Sequence, residues 1–282
     1  MIAVVDYQKG NLKSVERGLI AAGGEALITA DASEIAKADA IVLPGVGAFA
    51  DAAATMCELG QMEAIRDRVR AGVPFLGICL GEHLMFEHGV EGAPEGNPAC
   101  GLGLLPGTVV AMPRCDAQGK TFKVPHVGWN TIEMPSCNGG AAVPPCGEGG
   151  GNAVLSSGGA GGGAARSSAA KRGLFEHGAF PGSAPQVGSE LAFPDSTPQP
   201  ESNLAFACPL FDGIAPGEYF YFTHSYIAPT GSHTIAETTH SVRFTSAVQF
   251  GERAFGVQFH PEKSSDAGAR VLANFVAIAA RG

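Results

Sequence analysis

Along the first eighty positions, apolar residues alternate between two periods. Ile2–Val5, Ala26–Ile28 and Ala40–Leu43 are short continuous apolar runs, the pattern of strands buried on both faces. Between the first two, Asn11–Ala22 places Leu12, Val15 and Leu19 on one helical face and stops at Gly23-Gly24. Helices are expected near Asp51–Glu58 and Gln61–Ala71, followed by a strand over Pro74–Ile78 that runs into Cys79, and a helical pattern resumes over Leu80–His88. This rhythm predicts an α/β fold: a three-layer sandwich with a mostly parallel central sheet and helices on both faces.

The second half changes period. Thr108–Met112, Glu218–Thr223, Thr234–Thr239, Ala247–Phe250 and Ala254–Phe259 read as strands, with Gly251-Glu252 as a hairpin tip between the last two. A closing helix is expected over Ser265–Ala279, capped by Ser264 or Ser265. Between the halves, 137–207 holds 15 of the 40 glycines and 7 of the 19 prolines, and 147–163 is nearly all Gly, Ala and Ser. That composition buries too little apolar area to offset its ordering entropy, so it reads as a flexible insertion in a single domain spanning 1–282. Leu174-Phe175 and Leu204-Ala205-Phe206 are its candidate contacts with the domain.

Charge and cysteine usage narrow the functional classes. A formal charge of −9 argues against binding nucleic acid or an anionic membrane surface. No apolar run reaches the length of a membrane span, and Met1–Asp6 reads as a core strand rather than a leader. Seven cysteines without CxxC spacing indicate neither a disulfide framework nor a zinc site, which fits a reducing, cytoplasmic setting. No metal or cofactor is expected.

Chemistry concentrates at two distant points. Gly77-Ile78-Cys79-Leu80-Gly81 puts a cysteine on a tight strand-to-helix turn, where glycines let the backbone close up and the helix N-terminus favours a thiolate. His260-Pro261-Glu262 ends an apolar strand, and the fixed turn at proline lets the carboxylate return to orient the imidazole. Together they compose a Cys-His-Glu nucleophile set. Pro44-Gly45-Val46-Gly47 follows a neighbouring strand. One of its peptide N–H groups, with that of Leu80, is a candidate oxyanion donor.

These motifs resemble the class I glutamine amidotransferases, a flavodoxin-like α/β fold. Four further segments narrow the resemblance: Asp6-Tyr7 with Gly10-Asn11-Leu12-Lys13-Ser14-Val15; Pro125-His126 with Gly128-Trp129-Asn130; Tyr221-Phe222-Thr223-His224-Ser225-Tyr226; and Gln258 to Ser264. Over nearly the whole chain except the insertion, they look like the glutaminase subunits of imidazole glycerol phosphate synthases. The resemblance implies Cys79 as nucleophile, His260 as general base and acid, Glu262 as its orienting carboxylate, and an oxyanion loop at Gly45–Gly47. It implies that His83, Glu91, His224, Ser225 and Tyr226 bind L-glutamine and that Asn11, Lys13 and Trp129 face a partner. That partner would be a (β/α)8-barrel cyclase subunit in a heterodimer. It would take the ammonia and turn the phosphoribulosyl-formimino intermediate of histidine biosynthesis into imidazole glycerol phosphate and AICAR. A degenerate, non-catalytic regulatory module, the glutaminase of another synthase and a stand-alone cysteine hydrolase are the alternatives. Trp129-Asn130 and His224-Ser225-Tyr226 speak against the glutaminase of another synthase.

The chain departs from the resemblance in two places. Glu82-His83 stands where the family usually has Met-Gln, so an imidazole replaces the amide expected to contact substrate. Glu82 reads as a solvated first-turn carboxylate complementing the helix dipole. Gln8-Lys9 stands where a glycine-containing pair is usual.

Overall fold

A computed structural model describes residues 1–136 and 206–281. The expected flexible insertion therefore lies, but for Phe206 and Ala207, outside the described residues. So do Leu174, Phe175, Leu204 and Ala205. Phe206 is buried and packs 4.9 Å from Phe211, ring centre to ring centre.

In chain order the elements are β1 (Ile2–Val5), α1 (Leu12–Ala21), β2 (Ala26–Thr29), α2 (Ala32–Ile35), β3 (Ala40–Gly45), α3 (Phe49–Glu58), α4 (Gln61–Arg70), β4 (Phe75–Cys79) and α5 (Leu80–His83). There follow β5 (Phe86–Gly89), β6 (Ala99–Cys100), β7 (Leu105–Ala111), β8 (His126–Thr131), β9 (Tyr219–His224), β10 (Tyr226–Ile227), β11 (Thr234–Thr239), β12 (Arg243–Phe250), β13 (Ala254–Val257) and α6 (Ser265–Ala280). The main sheet has the order β11-β12-β13-β4-β3-β1-β2. Its β2, β1, β3, β4 and β13 are parallel, and β12 and β11 extend it antiparallel. A four-stranded sheet (β10-β7-β5-β6) and a two-stranded ribbon (β8-β9) complete the fold.

Strand alternation sorts the core into two layers. Ile2, Val4, Val42, Leu76, Ile78, Phe255 and Val257 pack with Val15 and Leu19 of α1 and Val271, Leu272 and Phe275 of α6. Ala3, Val5, Ile41, Leu43 and Phe75 point the other way, onto Ile35, Phe49, Met56, Ile65 and Val69 of α2, α3 and α4. This is the three-layer α/β sandwich expected from the sequence. Element ends fall within one or two residues of the expected ones over most of the sheet, while β7 begins three residues and β12 four residues before the expected strands.

Three expectations need correction. The helical pattern over Leu80–His88 is one turn, α5, after which the chain enters β5. Phe86 and Gly89 are buried, and the segment is drawn into the second sheet by β7, so tertiary pairing overrides local periodicity. Ser264 stands at the start of α6 but makes no side-chain capping bond; its hydroxyl is committed elsewhere. Among the described cysteines Cys57, Cys79, Cys100 and Cys208 are free, but Cys115 is disulfide-bonded, a bridge that the cysteine spacing did not announce.

The turn after β4 depends on two backbone approaches. A Cβ on Gly81 would lie 1.8 Å from the Leu43 carbonyl oxygen, and one on Gly77 would lie 2.5 Å from that of Gly81. Both obstacles are backbone, which cannot swing aside as a side chain can. Gly81→Ala is expected to lower folding stability by at least about 2–3 kcal/mol, since β3 or α5 must move. Urea denaturation checks it, and an unchanged midpoint would contradict the packing described.

Candidate active site

Strand register assembles the site. In the parallel ladders Gly45 of β3 pairs with Cys79 of β4, and Val257 of β13 pairs with Ile78. The carboxyl ends of three adjacent strands therefore deliver Gly45–Gly47, Cys79 and His260 to one edge, where open α/β sheets bind ligands. Cys79 takes φ 55° and ψ −106°, a left-handed conformation unusual for a residue with a Cβ. Such strain persists only where surrounding structure enforces it, and here the approach of Gly81 to Leu43 does so.

His260 and Glu262 form a tight pair. His260 Nδ1 lies 2.9 Å from Glu262 Oε1, and both side chains are almost fully buried. Nδ1–H therefore donates to the carboxylate, which leaves Nε2, without any other hydrogen-bond partner, for the neighbouring Cys79. Burial alone would lower the pKa of His260; the Cys79 sulfur and Glu262 together outweigh it and raise the value to about 9. The turn carrying this pair is anchored to β9. Ser264 donates its hydroxyl to the His260 carbonyl (2.6 Å) and accepts from the Tyr221 N–H (3.0 Å), while the His260 N–H donates to the Tyr221 carbonyl (2.9 Å). Ser264 is thus a supporting residue that its sequence position presented only as a helix cap.

A cavity of about 370 Å³ opens over Cys79, a size suited to a small metabolite. Val46, Gly47, Leu80, His83, Glu91, His224, Ser225 and Tyr226 are among the residues that line it. The sequence-expected glutamine-binding residues therefore meet in one place. Of the expected oxyanion residues, Gly45 is not among those that line the cavity. A Cβ there would meet Tyr7 Oη at 2.4 Å and Leu80 Cβ at 2.8 Å, which explains the glycine. Tyr7 is fully buried, and burial, then the nearby Cys79, raises its pKa, so its hydroxyl stays protonated under the loop. The carboxyl of Glu91 is raised too, by partial burial first, with the Phe49 N–H opposing.

Three neutral groups support the wall in series. His224 Nδ1–H donates to the Tyr226 carbonyl (2.8 Å), so its Nε2 accepts from His126 Nδ1–H (3.0 Å). The Nε2 of His126 then accepts from the Asn130 amide (3.3 Å). Each ring has one donor and one acceptor satisfied only if both are uncharged. Burial agrees, holding His126 down to about 4 and His224 well below its ordinary value. His126 and Asn130 were legible only as parts of a motif.

Glu82 corrects the sequence reading. It is not solvated: it has no exposed surface, neither carboxyl oxygen has a hydrogen-bond partner, and burial raises its pKa well above the ordinary value. It sits under β13, where a Cβ on Gly256 would meet its Cγ at 2.7 Å. His83 Nε2 is 3.9 Å from Glu82 Oε2, but this is no ion pair, because burial also lowers His83 to about 4 and both groups remain neutral. Gln8, by contrast, takes φ 69°, a left-handed conformation that glycine adopts freely, and its N–H donates to Asp6 Oδ1 at 2.7 Å.

Comparison with known proteins agrees with this geometry. A family model described as glutamine amidotransferase class-I matches residues 3–137 and 190–279. The imidazole glycerol phosphate synthase subunit HisH of Moorella thermoacetica is 35% identical over 276 residues, covering 97% of this chain and 93% of its own. The chain belongs to the HisH family of class I glutamine amidotransferases. The protein of the same name from Rhodopirellula baltica is 33% identical, over 98% of this chain and 96% of its own. Among solved structures, a glutamine amidotransferase superposes with a TM-score of 0.55 at 15% identity, covering 99% of this chain and 98% of that one. PurLQS from Thermotoga maritima gives 0.54 at 14%, covering 98% and 97%. At such identities these two attest the fold alone. No helix among the described residues is long and apolar enough to cross a membrane.

Titration of the buried groups gives a test. The folded chain keeps a proton on Glu82 that the unfolded chain releases above its ordinary pKa of 4.5, so this group weakens folding as pH rises through that range. Glu82→Met is expected to stabilise the protein by about 1–3 kcal/mol at pH 7, with the gain shrinking toward pH 4.5. Urea midpoints of both proteins at several pH values measure it, and a gain independent of pH would refute a buried neutral acid.

Proposed function

We propose that this chain is the glutaminase of an imidazole glycerol phosphate synthase. What carries the reading is the meeting of Cys79 with a His260–Glu262 pair over a small-metabolite cavity, in a chain of the HisH family. The Cys79 thiolate attacks the side-chain carbonyl carbon of L-glutamine. The tetrahedral oxyanion faces the Leu80 N–H and the Val46–Gly47 loop. Because Glu262 and the thiolate keep His260 protonated through neutral pH, Nε2–H can be given to the departing nitrogen, and the C–N bond breaks to release ammonia and leave a glutamyl thioester. Neutral His260 then takes a proton from water. Hydroxide adds to the thioester, glutamate departs, and thiolate and imidazolium are restored.

Ammonia is useful only if it reaches an acceptor. The HisH relatives are named as synthase subunits, and we assign the acceptor chemistry to a cyclase partner that makes imidazole glycerol phosphate and AICAR. The docking face is the outer side of the β8–β9 ribbon. Trp129 pairs with Tyr221 and Val127 with Thr223, so their side chains share one face. Val127, Trp129 and Tyr219 are about half exposed there (55%, 51% and 57%), and Lys263 stands over the Tyr221 ring. Thr223 from the same ribbon lines the cavity, which puts this face beside the site. Asn11 is exposed near the start of α1, and exposed Lys13 is paired with Glu16 at 2.9 Å.

Cys79→Ala is expected to abolish glutamine hydrolysis, and His260→Ala to lower kcat by about 10²–10⁴-fold. Acylation should decline above about pH 9 as His260 loses its proton. Steady-state glutaminase assays check all three; retained turnover in Cys79→Ala would overturn the mechanism. Trp129→Ala should weaken cyclase binding by about tenfold or more while leaving isolated-chain turnover intact. Calorimetric titration with the cyclase reads that, and an unchanged Kd would move the docking face elsewhere.

A further inference from the structure

Gln258 is completely buried and lies between two groups of the site without itself lining the cavity. Its Oε1 is 2.7 Å from His83 Nε2, and its Nε2 is 3.8 Å from the Cys79 sulfur. The Gln258 N–H is held by the Ser246 carbonyl at 3.0 Å, so the backbone that carries the amide is fixed. A primary amide can be turned either way round, and which end meets the sulfur depends on what meets the other end. In the structure the amide oxygen meets His83 and the NH2 is turned toward Cys79, and in that arrangement the ring proton sits on His83 Nε2, which donates to Oε1. The Thr223 carbonyl, 4.0 Å from the sulfur, is an acceptor: it can receive a hydrogen bond from the thiol but cannot stabilise the thiolate.

We propose that Gln258 donates a hydrogen bond to the Cys79 thiolate and that His83 is a positioning residue that locks its amide in the donating orientation. The inference rests on the nucleophile assignment above. It gives His83 a role other than the glutamine contact expected from the sequence: its Nε2 faces the protein, not the substrate. The groups facing His83 are Glu82 from its own turn, Gln258 from the segment after β13, and His224 across the cavity; none carries charge at neutral pH. With α5 only one turn long, this bond supplies stabilisation that a longer helix N-terminus would otherwise provide.

The test follows the reactivity of Cys79 with iodoacetamide as a function of pH, resolved from that of exposed Cys57 and Cys100 by peptide mass spectrometry. Gln258→Leu is expected to move the Cys79 inflection upward by about one pH unit and to slow its alkylation about tenfold at neutral pH, with Cys57 and Cys100 unchanged. Gln258→Glu, similar in shape but with no donor when ionised, should move it further. In glutamine turnover Gln258→Leu should lower kcat and leave KM near the wild-type value. His83→Phe should reproduce the upward shift, and His83→Gln, whose amide can again donate to Oε1, should restore the wild-type profile. Circular dichroism identifies any variant that has not folded. Superimposable profiles for folded wild type, Gln258→Leu and Gln258→Glu would overturn the proposal, and a shift in Gln258→Leu without one in His83→Phe would overturn the part assigned to His83. If wild-type Cys79 reacted no faster than Cys57, the nucleophile assignment itself would fail, a result distinct from either.

Discussion

The parallel pairing of β4 with β13 is the constraint on which the site depends. Val257 lies opposite Ile78, so Cys79 is one residue past the ladder on one strand and His260 three residues past it on the other. Residues 181 positions apart are thereby held at the same sheet edge by backbone hydrogen bonds rather than by any direct attraction between them. A slip by one residue would turn every side chain of β13 to the opposite layer, moving Phe255 and Val257 out of the core they share with α1 and α6. Hydrophobic burial thus protects the register that brings Cys79 and His260 to one edge.

The second constraint is steric. Gly77, Gly81 and Gly45 are places where backbone or a neighbouring side chain comes closer than any Cβ allows, and their absence of side chain lets Cys79 be thrust into a left-handed conformation at the mouth of the cavity. Around it the polar groups are arranged as neutral donors and acceptors: Tyr7, Glu82, His83, His126 and His224 are all held uncharged, mainly by burial. Only His260 is driven the other way, because its two facing groups are a carboxylate and a sulfur. Against uncharged surroundings, the proton it carries is not dispersed into a charged network.

Much of this was legible in the residue pattern. Short apolar runs separated by amphipathic segments announced the two-sided sheet, Gly-x-Cys-x-Gly announced the sharp turn at Cys79, and His-Pro-Glu the carboxylate that returns to the imidazole, because each is a local rule of sterics and periodicity. The reading went wrong where neighbours distant in sequence overrode the local rule. Glu82 looked like a surface carboxylate at a helix start, yet β13 covers it. The helical pattern after Cys79 was cut to one turn because β7 recruits Phe86 to Gly89 as a strand. Ser264 looked like a cap, yet its hydroxyl joins His260 to β9.

By itself, then, the sequence determined which elements form, where the backbone must turn sharply, and which residue types carry the chemistry, since these depend on side chains within a few positions of one another. Tertiary structure alone decided the charge state of Glu82, His83, His126 and His224, the orientation of the Gln258 amide, and the raised pKa of His260. The physical reason is that desolvation and hydrogen-bond direction depend on what surrounds a group in space, and most of those surroundings come from strands far away along the chain.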